Sequence, residues 1–202
     1  MATNRRTAKI EGTDSDFYPT PTWGTKALLH YEGFKGTVDE ICCGEGDMSK
    51  VLINAGYKVR SSDLHNRGYG EVKDFLKSNR RRKNICTNPP FNIANEIVTH
   101  ALKLTKRKAC FLLRTAFLES ITRYEKIFRV NPPTRVYTFT ERLSMYPKGS
   151  EVKGGGTTSY SWFIWDLENE SKETRMFWIQ PGFKPKKSSK TVVIRKNKNV
   201  LL

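Results

Sequence analysis

From Phe17 onward the chain alternates short apolar runs with stretches in which apolar residues recur every three or four positions. That order predicts parallel strands joined by helices. Thr25 to Tyr31 reads as a short helix after the turn residues Pro19, Pro21 and Gly24, and Thr37 to Cys43 as a first strand ending in a glycine turn. Asp47 to Ala55 carries Met48, Val51, Leu52 and Ala55 at helical spacing, with Gly56 placed to stop it, and Tyr57 to Ser62 reads as the second strand. Asn84 to Thr87 is an apolar strand running into Asn88-Pro89-Pro90-Phe91; Ala94 to Leu104 follows as a helix with Ile97, Val98, Ala101 and Leu102 on one side. Ala109 to Leu113, Arg135 to Phe139 and Ser159 to Trp165 read as further strands, the last two joined by a 140–158 loop of about twenty residues, a length that is usually functional or disordered.

With 202 residues there is room for one α/β domain and little else. Residues 1–16 are polar and basic without periodicity and read as a flexible arm, 17–183 as the folded domain, and 184–202 as a lysine-rich tail. Lys and Arg number 36 against 20 Asp and Glu, a formal charge of +16 that suits a polyanionic partner, although a basic surface also serves solubility alone. No apolar run approaches the ~20 residues of a membrane span, and Asn4-Arg5-Arg6 leads into no signal-peptide core, so a cytoplasmic protein without membrane association is expected. Cys42, Cys43, Cys86 and Cys110 lack metal-ligand spacing and read as reduced packing residues; His30, His65 and His100 show no zinc pattern, and no metal is expected.

Two constellations carry chemistry. In Glu40-Ile41-Cys42-Cys43-Gly44-Glu45-Gly46 an acid on a strand precedes a Gly-x-Gly turn that opens a helix. Glycines there let the backbone approach a ligand, and the helix N-terminus adds amide donors. By itself such a turn is also an ordinary connector. Asp63 ends the second strand 23 residues after Glu40, where a carboxylate can accept both ribose hydroxyls of a nucleotide-like ligand. At Asp74-Phe75 an acid could accept from an adenine amine and an aromatic could cover its ring; a capping aspartate is the plainer alternative.

Asn88-Pro89-Pro90-Phe91 is the second. An aromatic amine is a poor nucleophile, because its lone pair is delocalised into the ring. A catalyst must therefore hold both N–H groups as the nitrogen attacks. The Asn88 side-chain oxygen and the Pro89 carbonyl can accept those bonds, the two prolines fix the backbone that presents them, and Phe91 can stack on a base drawn out of its helix. The plain alternative is a rigid surface turn. Aromatic and basic residues interleave later: Arg142, Tyr146, Lys148 and Lys153 in the long loop are candidate nucleic-acid contacts, whereas most of Tyr160, Trp162 and Trp165 should be core.

In this linear order the features resemble the amino-methylating DNA methyltransferases, in particular the short phage and prophage adenine-specific type. The resemblance runs from about Phe17 to Pro181 and includes Phe17-Tyr18-Pro19-Thr20-Pro21, the Glu40–Gly46 turn, Asp63, Asp74-Phe75, Asn88-Pro89-Pro90-Phe91, Phe111-Leu112-Leu113-Arg114, Phe117-Leu118-Glu119-Ser120 and Ser159 to Trp165. It implies a Rossmann-like α/β fold, a seven-stranded, mostly parallel sheet with one antiparallel strand and helices on both faces. By position it also implies S-adenosylmethionine held by Tyr18, Thr20, Glu40, Cys42, Gly44, Gly46, Asp63, Asp74 and Phe75, with the flipped base held by Asn88, Pro89, Pro90 and Phe91. Ile41 stands where the family usually has proline and Cys43 where it usually has alanine. No target-recognition domain fits, so specificity would come from the 140–158 loop, the tail or a partner protein. The implied activity is transfer of a methyl group to adenine N6 in DNA. Methylation of RNA or of a protein glutamine uses the same kind of site, and a non-catalytic nucleic-acid-binding protein is a further alternative.

Overall fold

The computed structural model describes residues 17–146, 157–169 and 171–185. The expected arm, Lys148, Lys153 and the tail from residue 186 lie outside the described residues. In chain order the elements are α1 (Thr22–Tyr31), β1 (Val38–Glu40), α2 (Asp47–Asn54), β2 (Val59–Asp63), β3 (Glu71–Val72), β4 (Arg82–Thr87), α3 (Ala94–Leu104), β5 (Thr105–Arg114), α4 (Ile121–Arg123) continuing as a π-helical turn over Tyr124–Phe128, β6 (Arg135–Phe139), β7 (Tyr160–Asp166) and β8 (Arg175–Ile179). They build one sheet in the order β3-β2-β1-β4-β5-β7-β6-β8. Among the described residues β7 alone runs against the others, pairing antiparallel with β5 and β6, while every other pair is parallel.

The expected mostly parallel sheet with one reversed strand is therefore present, with eight strands instead of seven. Two strands fall outside the elements expected from the sequence. β3 is two exposed residues with no apolar pattern to reveal it, and β8 is an edge strand whose first four residues are exposed. Elsewhere α3 and β6 match their expected limits, while β1 is shorter than expected because Ile41, Cys42 and Cys43 leave the ladder to make the turn.

Burial on both faces accounts for the apolar central strands. Along β5 and β7 the side chains alternate with period two. Cys110, Leu112, Trp162 and Ile164 join α1 and α2 through Ala27, Leu28, Met48 and Leu52. Ala109, Phe111, Leu113, Phe163 and Trp165 join α3 and the π-helical turn through Ile97, Val98, Ala101 and Ile127. Trp162 and Trp165 are thus core, and each indole N–H is satisfied, by Gly24 O at 3.0 Å and Asn131 O at 2.8 Å. Cys86 and Cys110 are buried packing residues of β4 and β5; Cys42 and Cys43 follow β1, and all four thiols are free.

A buried acid closes the layer of α1 against the sheet. Glu32, just past α1, accepts hydrogen bonds from Lys108 Nζ at 2.6 Å, Arg135 Nη2 at 3.1 Å and Tyr137 Oη at 2.9 Å. Burial alone would raise its carboxyl; the hydrogen bonds and charges of Arg135 and Lys108 override that and hold it below 4.5. Its stabilising contribution is accordingly full above 4.5 and is lost as pH falls through the depressed value. Glu32→Ala strands two cations and should cost about 3–5 kcal/mol in urea unfolding at pH 7, with the deficit shrinking in acid. Among the described residues no helix is long and apolar enough to cross a membrane.

Candidate active site

Because β1, β2, β4 and β5 are parallel, their carboxyl ends share one edge of the sheet. From β1 the order runs to β2 on one side and to β4 on the other, so a crevice opens between the carboxyl ends of β1 and β4, the usual ligand position in open α/β sheets. A cavity of about 240 Å³ lies there. Its wall includes eleven of the residues expected from the sequence: Tyr18, Thr20, Glu40, Cys42, Asp63, Asp74, Phe75, Asn88, Pro89, Pro90 and Phe91. Gly44 and Gly46 form the adjoining turn. Arg142 and Tyr146 are not part of this wall.

The glycine turn depends on backbone freedom. Gly44 has φ +54° and Gly46, which caps α2, has φ +82°. A Cβ on Gly44 would meet the ring of Phe17, and one on Gly46 the ring of Tyr69. What the glycines admit is therefore two aromatic rings of the chain itself, and Phe17 in turn forms part of the cavity wall, with the Arg67 guanidinium 4.2 Å over its ring. Asp63 ties this turn to β2: its Oδ2 accepts from Gly44 N at 2.8 Å and its Oδ1 from His65 N at 3.0 Å. Each carboxylate oxygen keeps a further lone pair for a ligand.

Glu40, at the end of β1, is 2% exposed and accepts from Ser49 Oγ. Burial pushes its carboxyl up to about 8, against the lowering effect of the Ser49 bond, and Asp47 and Asp63 add to the rise. An acid in this position is short of a cation. Cys42 lines the cavity as a thiol, raised chiefly by burial, and burial pushes Cys43 up to about 12. Asp74 caps the 3₁₀ turn Phe75–Lys77, with Oδ1 accepting from Leu76 N at 3.0 Å; Phe75 is buried edge-on to His100 at 5.2 Å while still facing the cavity.

β4 delivers Asn88 to the cavity. Its Nδ2 donates to Tyr18 O at 3.2 Å, Thr20 Oγ1 at 3.1 Å and Met145 Sδ at 3.6 Å. A carbonyl can only accept, so the amide has one orientation here. Its Oδ1 is buried and has no hydrogen-bond partner among the described residues. Such an orphan costs about 1–3 kcal/mol, and folded proteins keep few of them. Pro90 is extended, with φ −53° and ψ 130°, and Phe91 opens the turn into α3. The Phe91 ring meets Tyr18 at 5.5 Å, Tyr160 at 5.7 Å and the Arg114 guanidinium at 4.7 Å.

Sequence reasoning did not single out Arg67, Tyr69 or Met145 and named Phe17 and Arg114 only as parts of the resemblance, without their contacts. Gly68-Tyr69-Gly70 was the available signal for the first group: Gly70, at φ +71°, brings its chain onto Cys43 Sγ and Ser61 O. Met145 shows that the start of the 140–158 loop reaches Asn88. Among the described residues no group of three or more His, Cys, Asp or Glu is placed to hold a metal.

No protein-family model matches the chain, and no curated protein sequence does. Solved structures do. A modification subunit of a type I restriction enzyme from Vibrio vulnificus, so designated, superposes with TM-score 0.60 at 13% identity over 89% of this chain and 50% of its own, so this chain spans half its length. A class I S-adenosylmethionine-dependent methyltransferase, so designated, from Listeria monocytogenes gives TM-score 0.60 at 13% identity over 84% of this chain and 68% of its own. A protein from Pyrococcus horikoshii designated an RNA methyltransferase gives 0.56 at 12% over 74% and 85%. The chain therefore has the Rossmann-like fold found in S-adenosylmethionine-dependent methyltransferases.

The raised Glu40 carboxyl yields a test on the ligand-free protein. A carboxyl that is protonated in the folded state up to about 8 contributes stability that is full below 4.5 and is lost as pH rises toward 8. Glu40→Gln escapes that loss, so ligand-free Glu40→Gln should melt above wild type by calorimetry, with a gap that widens between these pH values and then levels.

Proposed function

We propose that the chain is an S-adenosylmethionine-dependent methyltransferase that modifies the exocyclic amine of a nucleic-acid base, adenine N6 in DNA. The observation that carries this reading is Asn88, a residue that lines the cavity: its amide nitrogen is held by Tyr18 and Thr20, and its buried Oδ1 has no partner among the described residues. A preorganised acceptor of this kind is what an amine N–H requires as its nitrogen gains positive charge.

The cavity's chemistry fits the cofactor. Glu40, acidic and lacking a cation, suits the ammonium of the methionine part; the open lone pairs of Asp63 suit ribose hydroxyls; and Phe17, Ile41, Met48, Leu64 and Ile93 supply apolar wall for the rest. When bound, S-adenosylmethionine supplies a methyl group activated on a sulfonium, which passes to the amine nitrogen. Asn88 Oδ1 accepts one amine N–H and the Pro89 carbonyl the other, drawing the lone pair out of the ring. No general base is needed, since the methylated amine releases its proton to water. Phe91 supports the base, which must leave a duplex stack to reach it.

The +16 charge supports a nucleic-acid substrate over a protein side chain. In this reading residues 1–16, Lys148, Lys153 and the 184–202 tail grip the polyanion around a 17–183 catalytic domain. Sequence preference comes from the 140–158 loop or a partner protein. The likeness to the modification subunit agrees with a DNA substrate, and the likeness to the protein designated an RNA methyltransferase makes RNA the control to run beside it.

Purified chain with methyl-labelled cofactor and duplex DNA, single-stranded DNA or RNA should yield N6-methyladenine, identified by mass spectrometry of the nucleosides. Asn88→Ala should lower kcat by about 10²–10³-fold with little change in cofactor affinity, the usual cost of losing one transition-state hydrogen-bond partner. Glu40→Gln should instead weaken cofactor binding. Label confined to RNA would replace DNA as the substrate; no transfer to any nucleic acid would overturn the reading.

A further inference from the structure

Arg114 is the last residue of β5, the strand next to β4. β4 and β5 pair in parallel with Thr87 opposite Phe111, so β5 runs three residues past that pair, alongside the segment that carries Asn88 to Phe91. The side chain is exposed, and its guanidinium carbon lies 4.7 Å over the centre of the Phe91 ring.

Several arginines of this chain are spent on carboxylates: Arg80 on Asp39, Arg107 on Glu168, Arg129 on Glu125, Arg135 on Glu32 and Asp166. The Arg114 side chain makes no ion pair or hydrogen bond among the described residues; its guanidinium instead meets the Phe91 ring. A guanidinium is planar and carries all its N–H donors in its plane. A guanidinium that rests its face on a ring keeps those in-plane donors available, and Phe91 itself lines the cavity together with Asn88. A fork of in-plane donors matches the two free oxygens of a phosphodiester.

We propose that Arg114 grips the phosphate flanking the target nucleotide, and does so from a position held by Phe91. This inference rests on the nucleic-acid reading above and adds to it a residue and a contact. A nucleotide whose base lies against Phe91 brings its backbone close to Arg114, which meets it without leaving the ring. The same side chain then links base entry to backbone grip: Phe91 holds the guanidinium in place, and the guanidinium holds the nucleotide that Phe91 supports. Lysine could supply the charge but neither the stack nor the fork.

The test compares wild type with Arg114→Met and Arg114→Lys on mixed-sequence oligonucleotides of the methylated type, across a salt series. Arg114→Met should raise KM for nucleic acid roughly ten- to hundredfold, the loss of one charge-assisted hydrogen-bond pair, with kcat changed far less and cofactor affinity unchanged. The dependence of log KM on log salt should become shallower by about one unit, as expected when one phosphate contact is removed. Arg114→Lys should restore the slope while recovering only part of the affinity. Cofactor affinity doubles as the check that both variants are folded. If wild type methylates nucleic acid and Arg114→Met keeps the wild-type salt slope, Arg114 only shields Phe91 and the assignment to phosphate falls by itself. If Arg114→Met lowers kcat and leaves KM unchanged, Arg114 positions Phe91 and the phosphate contact is likewise overturned. If wild type modifies no nucleic acid, the reading beneath falls and takes this inference with it.

Discussion

Parallel pairing of β1 with β4, Val38 opposite Asn84 and Asp39 opposite Ile85, is the constraint on which the rest of this molecule hangs. These two strands are the point at which the chain turns from building one side of the sheet to building the other, so no connection crosses their carboxyl ends and a crevice remains. Glu40 ends one strand and Asn88 follows the other. Residues far apart in the chain therefore face one cavity, and the N-terminal segment from Phe17 to Thr20 is drawn over them to complete its wall.

The cleft holds features that a packed core avoids. Among the described residues Glu40 is buried without a cation and its carboxyl is raised to about 8, and Asn88 Oδ1 is buried without a donor. The buried acid and the orphaned oxygen each cost stability, and such features cluster at functional sites. The rest of the fold offsets that cost. Two hydrophobic layers bury both faces of the central strands, and Glu32 joins α1 to β5 and β6 through Lys108, Arg135 and Tyr137.

Glu32 and Glu40 show how surroundings set the state of the same side chain. Both are acids buried near an end of a secondary-structure element. Glu32 has two cations and ionises more readily than a free carboxyl; Glu40 has a serine and two neighbouring acids and ionises less readily. The contrast separates an acid held by cations from one that is buried beside other acids. Arg114 stands to Arg135 in a similar way: one lies over the Phe91 ring with its side-chain donors unused among the described residues, the other is consumed by Glu32 and Asp166.

The sequence by itself determined the parallel α/β architecture, since apolar runs alternating with helical periodicity have few other solutions, and it marked the glycine turn, Asp63 and Asn88-Pro89-Pro90-Phe91, whose local chemistry is written in consecutive residues. It left β3 and β8 unseen, because a two-residue exposed strand and an exposed edge strand owe their existence to a neighbour's hydrogen bonds more than to their own pattern. Tertiary structure alone decided which faces of residues do the work. It filled the space beside Gly44 and Gly46 with Phe17 and Tyr69, and set Thr20 to orient the Asn88 amide. It also made Asp74 a cap and laid Arg114 on Phe91. The physical reason is that a motif specifies donors, acceptors and backbone angles along the chain, whereas the partner that satisfies each of them, or leaves it unsatisfied, arrives from strands and loops brought together only by folding.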